Sequence, residues 1–186
     1  MRSFLCIYVL AVIAMFGACT GEKSSRLPGV APKVALAEFY RIVKAGEIEK
    51  AEALVLEPSE DWCKTDLKRN IEMAAQMMGS GNLVMETLDD KVRGNWAVVI
   101  TRLEMVKNEE TYRRLRDEFM YNRDGQWLAV PEGVRSDPAI KPLLDDDFHK
   151  LFEWYRKNQQ DLSDQYIKPP AQEQESEKPD DTQEQE

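Results

Sequence analysis

An α+β domain, with helices first and an antiparallel sheet after them, is the fold class the sequence predicts. Three observations predict it. From Val34 to Gly81 apolar residues return every three or four positions, as on one face of a helix. From Asn82 to Val130 the period falls to two, as in half-buried strands. The strands are divided by short Gly-, Asn- and Asp-bearing turns, which close hairpins and are too short for parallel crossovers.

The elements follow in order. "VALAEFYRIVKAG" sets Val34, Ala35, Ala37, Phe39, Ile42 and Val43 along one broad helical face, with Gly46 as a C-terminal cap. "EIEKAEALV" reads as a short second helix with Ile48, Ala51, Leu54 and Val55 inward and Pro58 as its stop. "TDLKRNIEMAAQMMGSG" reads as a third, with Leu67, Ile71, Ala74, Ala75 and Met78 inward. Thr65 can cap its start; a start near Ser59 is the alternative. Gly79 and Gly81 end it.

Four strands come next. "NLVMETLDDKV" alternates through Val84, Glu86 and Leu88. "NWAVVITRLEMV" is apolar on both faces near its start, as a central strand must be. "TYRRLRDEFMY" puts Leu115, Phe119 and Tyr121 in one phase, and "QWLAV" is the fourth strand. "VRGN", "KNEE" and "NRDG" are the turns, the last with Gly125 where a positive φ is needed. The meander should pack one face on the helices.

Beyond it, "DDDFHKLFEWYRKNQQDLSDQYI" carries Phe148, Leu151, Phe152, Tyr155, Leu162 and Tyr166 in a 3.6-period stripe, with Trp154 at its edge. A bare aromatic stripe is a patch that soluble chains avoid. We expect this helix to pack on its own domain; docking on a partner is the alternative. Asp145, Asp146 and Asp147 suit the helix dipole. They lack the glycine turn and later Glu of a calcium loop.

The N-terminus places the chain in the cell. Phe4 to Phe16 is a thirteen-residue run, apolar or weakly polar, with Arg2 before it. It is shorter than the roughly 20 residues a spanning helix needs and fits the apolar core of a secretory signal. Phe16-Gly17-Ala18-Cys19 resembles a bacterial lipobox, with Phe16 where Leu is usual. The resemblance implies a signal peptide over residues 1–18 and acyl chains, palmitate among them, on Cys19. An ordinary secreted protein, or one with an uncleaved anchor, is the alternative. Two or more chains give stable membrane attachment. Thr20 in place of Asp points, by the same resemblance, to the periplasmic face of the outer membrane where one exists. "TGEKSSRLPGVAPK" completes a tether over residues 19–33 with a reach on the order of 45 Å, at about 3.3–3.6 Å per residue.

At the other end, residues 169–186 hold seven acids, one lysine and Ala171 as the single apolar residue. Such a segment is expected to stay disordered and solvating. The formal charge of −9 makes the chain a poor candidate for nucleic acid, whose phosphates call for a basic footprint, and no nucleic-acid partner is expected. With Cys6 in the signal and Cys19 acylated, Cys63 stands alone, so no disulfide framework is expected.

"KAGEIEKAEALV", "NWAVVITRLEMV" and "NRDGQWLAV" together resemble the nuclear transport factor 2-like superfamily, in particular its small bacterial lipoproteins of unknown function. The pattern has a Gly-Asp-like pause after the first helix, here Gly46-Glu47, and a closing Asp-Gly-x-Trp, here Asp124 to Trp127. The resemblance spans residues 34–134. It implies a cone: three helices on a curved antiparallel sheet, often with a pocket inside. Residues 135–168, a linker and amphipathic helix, are then an addition that covers an open part of the cone.

Chemistry inside such a pocket needs a group that titrates near neutrality. His149 lies in the added helix, as a surface residue. Asp117 shares the phase of Leu115 and Phe119, so it is the candidate inward acid; pairing with Arg102 is its blander role. Asp117, Phe119 and Trp127 are the candidate pocket-lining residues. Cys63, beside Trp62 and Leu67, reads as an inert thiol. One free Cys and one His do not make a zinc site, and neither metal nor cofactor is expected. Arg113, Arg114 and Arg116 could hold an anion, but their acidic neighbours make a solvated strand the default. The expected function is therefore a non-catalytic, membrane-anchored module of the cell envelope, whose partner is an envelope protein or a small apolar ligand. The alternative is an atypical hydrolase or isomerase using an inward carboxylate.

Overall fold

A computed structural model describes residues 29–167. The expected signal peptide over residues 1–18, Cys19 and most of the expected tether, like the acidic segment 169–186, lie outside the described residues. The described chain runs α1 (Pro32–Lys44), α2 (Ile48–Glu52), α3 (Asp61–Gly79), β1 (Leu83–Arg93), β2 (Trp96–Lys107), β3 (Glu110–Arg123), β4 (Gln126–Ala129) and, after two 3₁₀ turns, α4 (Asp146–Tyr166). The strands form one antiparallel meander in the order β1-β2-β3-β4. This is the expected α+β architecture: three helices, a curved antiparallel sheet and an added C-terminal helix.

Local chemistry explains the element ends. Gly46, at φ +74°, follows α1, with Gly46 N–H donating to Val43 O (2.9 Å) and Glu47 N–H to Ile42 O (3.2 Å). That is a Schellman closure. Helix α1 begins at Pro32, two residues inside the expected tether. Its buried face is Pro32, Leu36, Phe39, Ile42 and Val43. Leu36 thus joins the expected face, while Val34 stays 49% exposed and Ala37 is also outside. Helix α2 stops at Glu52, well before Pro58, because the chain turns to pair with the sheet. Leu56 N–H donates to Ala129 O (2.9 Å), and Ala129 N–H to Leu54 O (2.8 Å).

Helix α3 starts at Asp61, so the earlier of the two expected starts is correct. Thr65 sits inside it, its hydroxyl donating to Asp61 O. The start is held from a distance by buried Asp137, whose carboxylate accepts from Ser59 N–H (3.0 Å), Ser59 Oγ–H (2.9 Å), Glu60 N–H (3.0 Å) and Ala139 N–H (2.8 Å). These bonds fasten the segment after β4 to α3 and satisfy donors that a helix start leaves free.

The main departure from expectation is the layering. Helices cover both sheet faces. The inner face packs on α1 and α3; the outer face packs on α4. Residues Trp96 to Thr101 are accordingly all buried. On the outer face Trp96, Phe119 and Phe148 form a cluster with ring centroids 4.7–4.9 Å apart between Phe148 and the other two. Trp96 Nε1–H donates to Leu143 O (3.1 Å). Arg93 pairs with Asp147 at 2.6 Å, and Lys91 lies 4.3 Å over the Trp154 ring. The α4 stripe thus packs on its own chain, but on the back of the sheet and not over the mouth of the cone. A bulge between Thr87 and Asp89 shifts the phase of β1: Leu83 and Met85 face inward, and Val84 and Glu86 are exposed.

Candidate functional site

The site is set by the length of β3. Strand β2 pairs with it throughout, but β4 pairs only with Met120–Arg123. The first half of β3 therefore leaves the sheet open beside α3 and α4. Two concavities meet there.

The first is a cavity of about 250 Å³ inside the cone. Its walls are apolar: Leu36, Phe39, Ile71, Met78, Leu83 and Leu103 line it from α1, α3 and the inner sheet face. One end is polar, with Tyr40, Arg116 and Glu118, and Asp66 and Asn70 of α3 also line the cavity. Arg116 Nε lies 3.1 Å from Glu118 Oε1. The Glu118 side chain keeps 15% exposure and lines the cavity, as does Asp66. Burial raises the pKa of Glu118 above the ordinary carboxylate value; Arg116 and Arg135 oppose that rise in part. Behind it, the buried Tyr40 hydroxyl has Thr101 and Glu118 as polar neighbours, and its own pKa is pushed well up by burial. Neither Tyr40 Oη nor Thr101 Oγ1 has a well-formed hydrogen bond among the described residues. A desolvated acid backed by two poorly satisfied hydroxyls is a costly arrangement in an apolar wall.

The second concavity is a groove of about 640 Å³ along the open edge of β3. Arg113, Arg114, Arg116, Arg135 and Arg156 line it, against Asp117 and Glu132. Arg116 borders both concavities.

The expected site residues are divided by this layering. Asp117 and Phe119 do share a phase, but it is the outer one. Phe119 is buried under α4, and Asp117 lines the groove, not the cavity. Burial raises the pKa of Asp117, and its cationic neighbours are Arg135 and Arg116. Arg102 is not its partner: it stands opposite Leu115 and pairs with Glu86 and Glu104. Trp127 is half-buried and lines neither concavity. The inward acid is the next residue, Glu118. The signal that could have found it is α4 itself: an amphipathic helix needs a sheet face to lie on, which leaves the even-numbered residues of β3 for the cone.

Cys63 lines the cavity but is buried, and burial together with Asp137 pushes its thiol up, away from the reactive thiolate. His149 is exposed on α4. Asp145 caps α4, accepting from Asp147 N–H and Phe148 N–H at 3.0 and 3.1 Å. Among the described residues no acidic, Cys or His side chains converge as metal ligands would. No described helix is long and apolar enough to cross a membrane.

No protein-family model matches the chain, and no curated protein matches it. Solved structures do resemble it. One is a Campylobacter jejuni protein described as a candidate nuclear transport factor 2-like transpeptidase: 14% identity, TM-score 0.42, covering 55% of this chain and 100% of that one. Another is a nuclear transport factor 2-like protein of unknown function from Cytophaga hutchinsonii: 15% identity, TM-score 0.36, covering 62% of this chain and 96% of that one. What the cavity can do rests on its own residues.

Proposed function

We propose that the chain is a lipid-anchored, non-catalytic binding module of the bacterial cell envelope, of nuclear transport factor 2-like type. Its cone takes a small, mainly apolar molecule carrying one neutral hydrogen-bond donor. The observation that supports this reading is the cavity: apolar walls for the body of the ligand and the Glu118 carboxylate as acceptor at one end. A cationic donor fits less well, because Arg116 stands beside that carboxylate. Anchoring through Cys19 follows the lipobox resemblance. Cys19→Ala should abolish acyl labelling and leave the precursor uncleaved at this position; a variant that still matures there and stays on the membrane would refute the anchor.

Glu118 favours one second reading, an isomerase or hydrolase in which it moves a proton. Its raised pKa suits a general base, and the arginine at 3.1 Å holds it in place. Glu118→Gln separates the two readings. It keeps an acceptor of the same shape and removes the base. A module should keep ligand affinity within a few-fold; an enzyme should bind yet lose turnover by a factor on the order of 10²–10⁴.

A further inference from the structure

The arginine groove is built along a strand edge, and its construction identifies what it takes. Five consecutive residues, Arg113 to Asp117, line it. Consecutive strand residues point to opposite faces, so a hollow touching all five lies along the edge of β3 and not on either face. That edge is unpaired. The carbonyl of Phe119 points to the β4 side, where it accepts from Val130 N–H at 2.8 Å. In an antiparallel ladder alternate residues point the same way. Asp117, Leu115 and Arg113 therefore turn their backbone groups to the open side, beyond the reach of β4.

Charge flanks this edge on both sides. Arg114 and Arg116 share one face of β3; Arg113 lies on the other, where Arg135 and Arg156 also line the groove. Arg114 and Arg156 form no ion pair among the described residues. The one hydrogen bond of Arg135 there runs from Nε to Val130 O, at 3.3 Å. Its guanidinium stacks 4.8 Å over Phe119, leaving its terminal nitrogens free to donate. Open backbone edge with arginines on both sides suits an extended acidic peptide added as a strand.

The sequence carries such a peptide shortly after the end of α4. Ser163 and Ile167, at the end of α4, line the same hollow. Lys168, Pro169 and Pro170 then lead to Ala171-Gln172-Glu173-Gln174-Glu175-Ser176-Glu177. In an extended strand the period of two places Glu173, Glu175 and Glu177 on one face. The stretch from Gln172 to Glu177 has no proline and would span roughly 20 Å, enough to run along the groove-lining residues Arg113 to Asp117. We propose that residues 171–177 dock along the open edge of β3 as a fifth strand, with their glutamates on the groove arginines.

Residue-resolved hydrogen–deuterium exchange on the full chain in detergent tests this. The readout is the backbone amides of Arg113 and Leu115. They should exchange at least about tenfold more slowly in the full chain than in a chain ending at Ile167. A full-length variant with Glu173→Gln, Glu175→Gln and Glu177→Gln should also lose protection, as should the unaltered chain in about 1 M salt, where charges beyond roughly 3 Å are screened. Equal exchange in the full, shortened and triply substituted chains would overturn the proposal. So would protection of the shortened chain by an added 171–177 peptide if the full chain showed no protection of its own. The groove would then serve an acidic peptide from another protein.

Discussion

Asp137 shows how far one side chain can reach. No periodicity marks it, yet its carboxylate accepts from three backbone N–H groups and one hydroxyl that join α3 to the segment after β4. Those donors hold its pKa far below the ordinary carboxylate value, against the opposing cost of burial. A depressed folded pKa contributes stability that is present above the unfolded value of about 3.8 and is lost as pH falls toward the folded one. Asp137→Asn turns an amide N–H₂ toward N–H donors, so it should lower the melting temperature at pH 7. The gap between the variant and the native chain should close as pH drops below about 4; a gap independent of pH would contradict this role. Glu109 is a second case. It follows Asn108 in the β2–β3 turn, both with positive φ (66° and 53°). The left-handed region costs a side-chain-bearing residue roughly 1–2 kcal/mol, and Asn-Gly is the preferred pair for such turns. After the entropy cost of glycine, Glu109→Gly should stabilise the fold by about 0.5–1 kcal/mol in chemical denaturation.

Elements were legible where one face is buried and less so where both are. The 3.6 spacing marked α1, α3 and α4, and the Gly-bearing turns marked the hairpins, because those signals are local. The bulge at Thr87/Asp89 was not legible: a phase shift in a half-exposed strand leaves no distinct pattern. Nor was the inner phase of β3, where Glu118 looks no more buried than Asp117 until α4 is placed. Helix α4 therefore decides the site as well as part of the core. Phe148 is 6% exposed and meets both Trp96 and Phe119, whereas Phe152 is only half-buried. Phe148→Ala should cost about 3–5 kcal/mol by denaturant titration, with Phe152→Ala costing clearly less. Equal small effects would mean that α4 does not pack on the outer face.

At the scale of the whole molecule, the added helix turns a two-layer cone into three layers. The outer face is sealed by aromatic packing, and the inner face keeps a cavity of about 250 Å³ with the desolvated Glu118 in its wall. Close packing is the rule inside proteins, and a hollow of this size with a desolvated acid is costly to keep. Its retention is intelligible if something enters it. The measurement that tests this most directly is ligand-observed NMR with a panel of small aromatic alcohols and amides, run on the native chain and on Ala74→Leu. Ala74 lines the cavity and is half-buried, so leucine there projects into the hollow. Binding by members of the panel to the native chain, lost in a folded Ala74→Leu variant, is the predicted result. No binding to the native chain, or binding that Ala74→Leu leaves unchanged, would contradict the assignment of the cone as a ligand site.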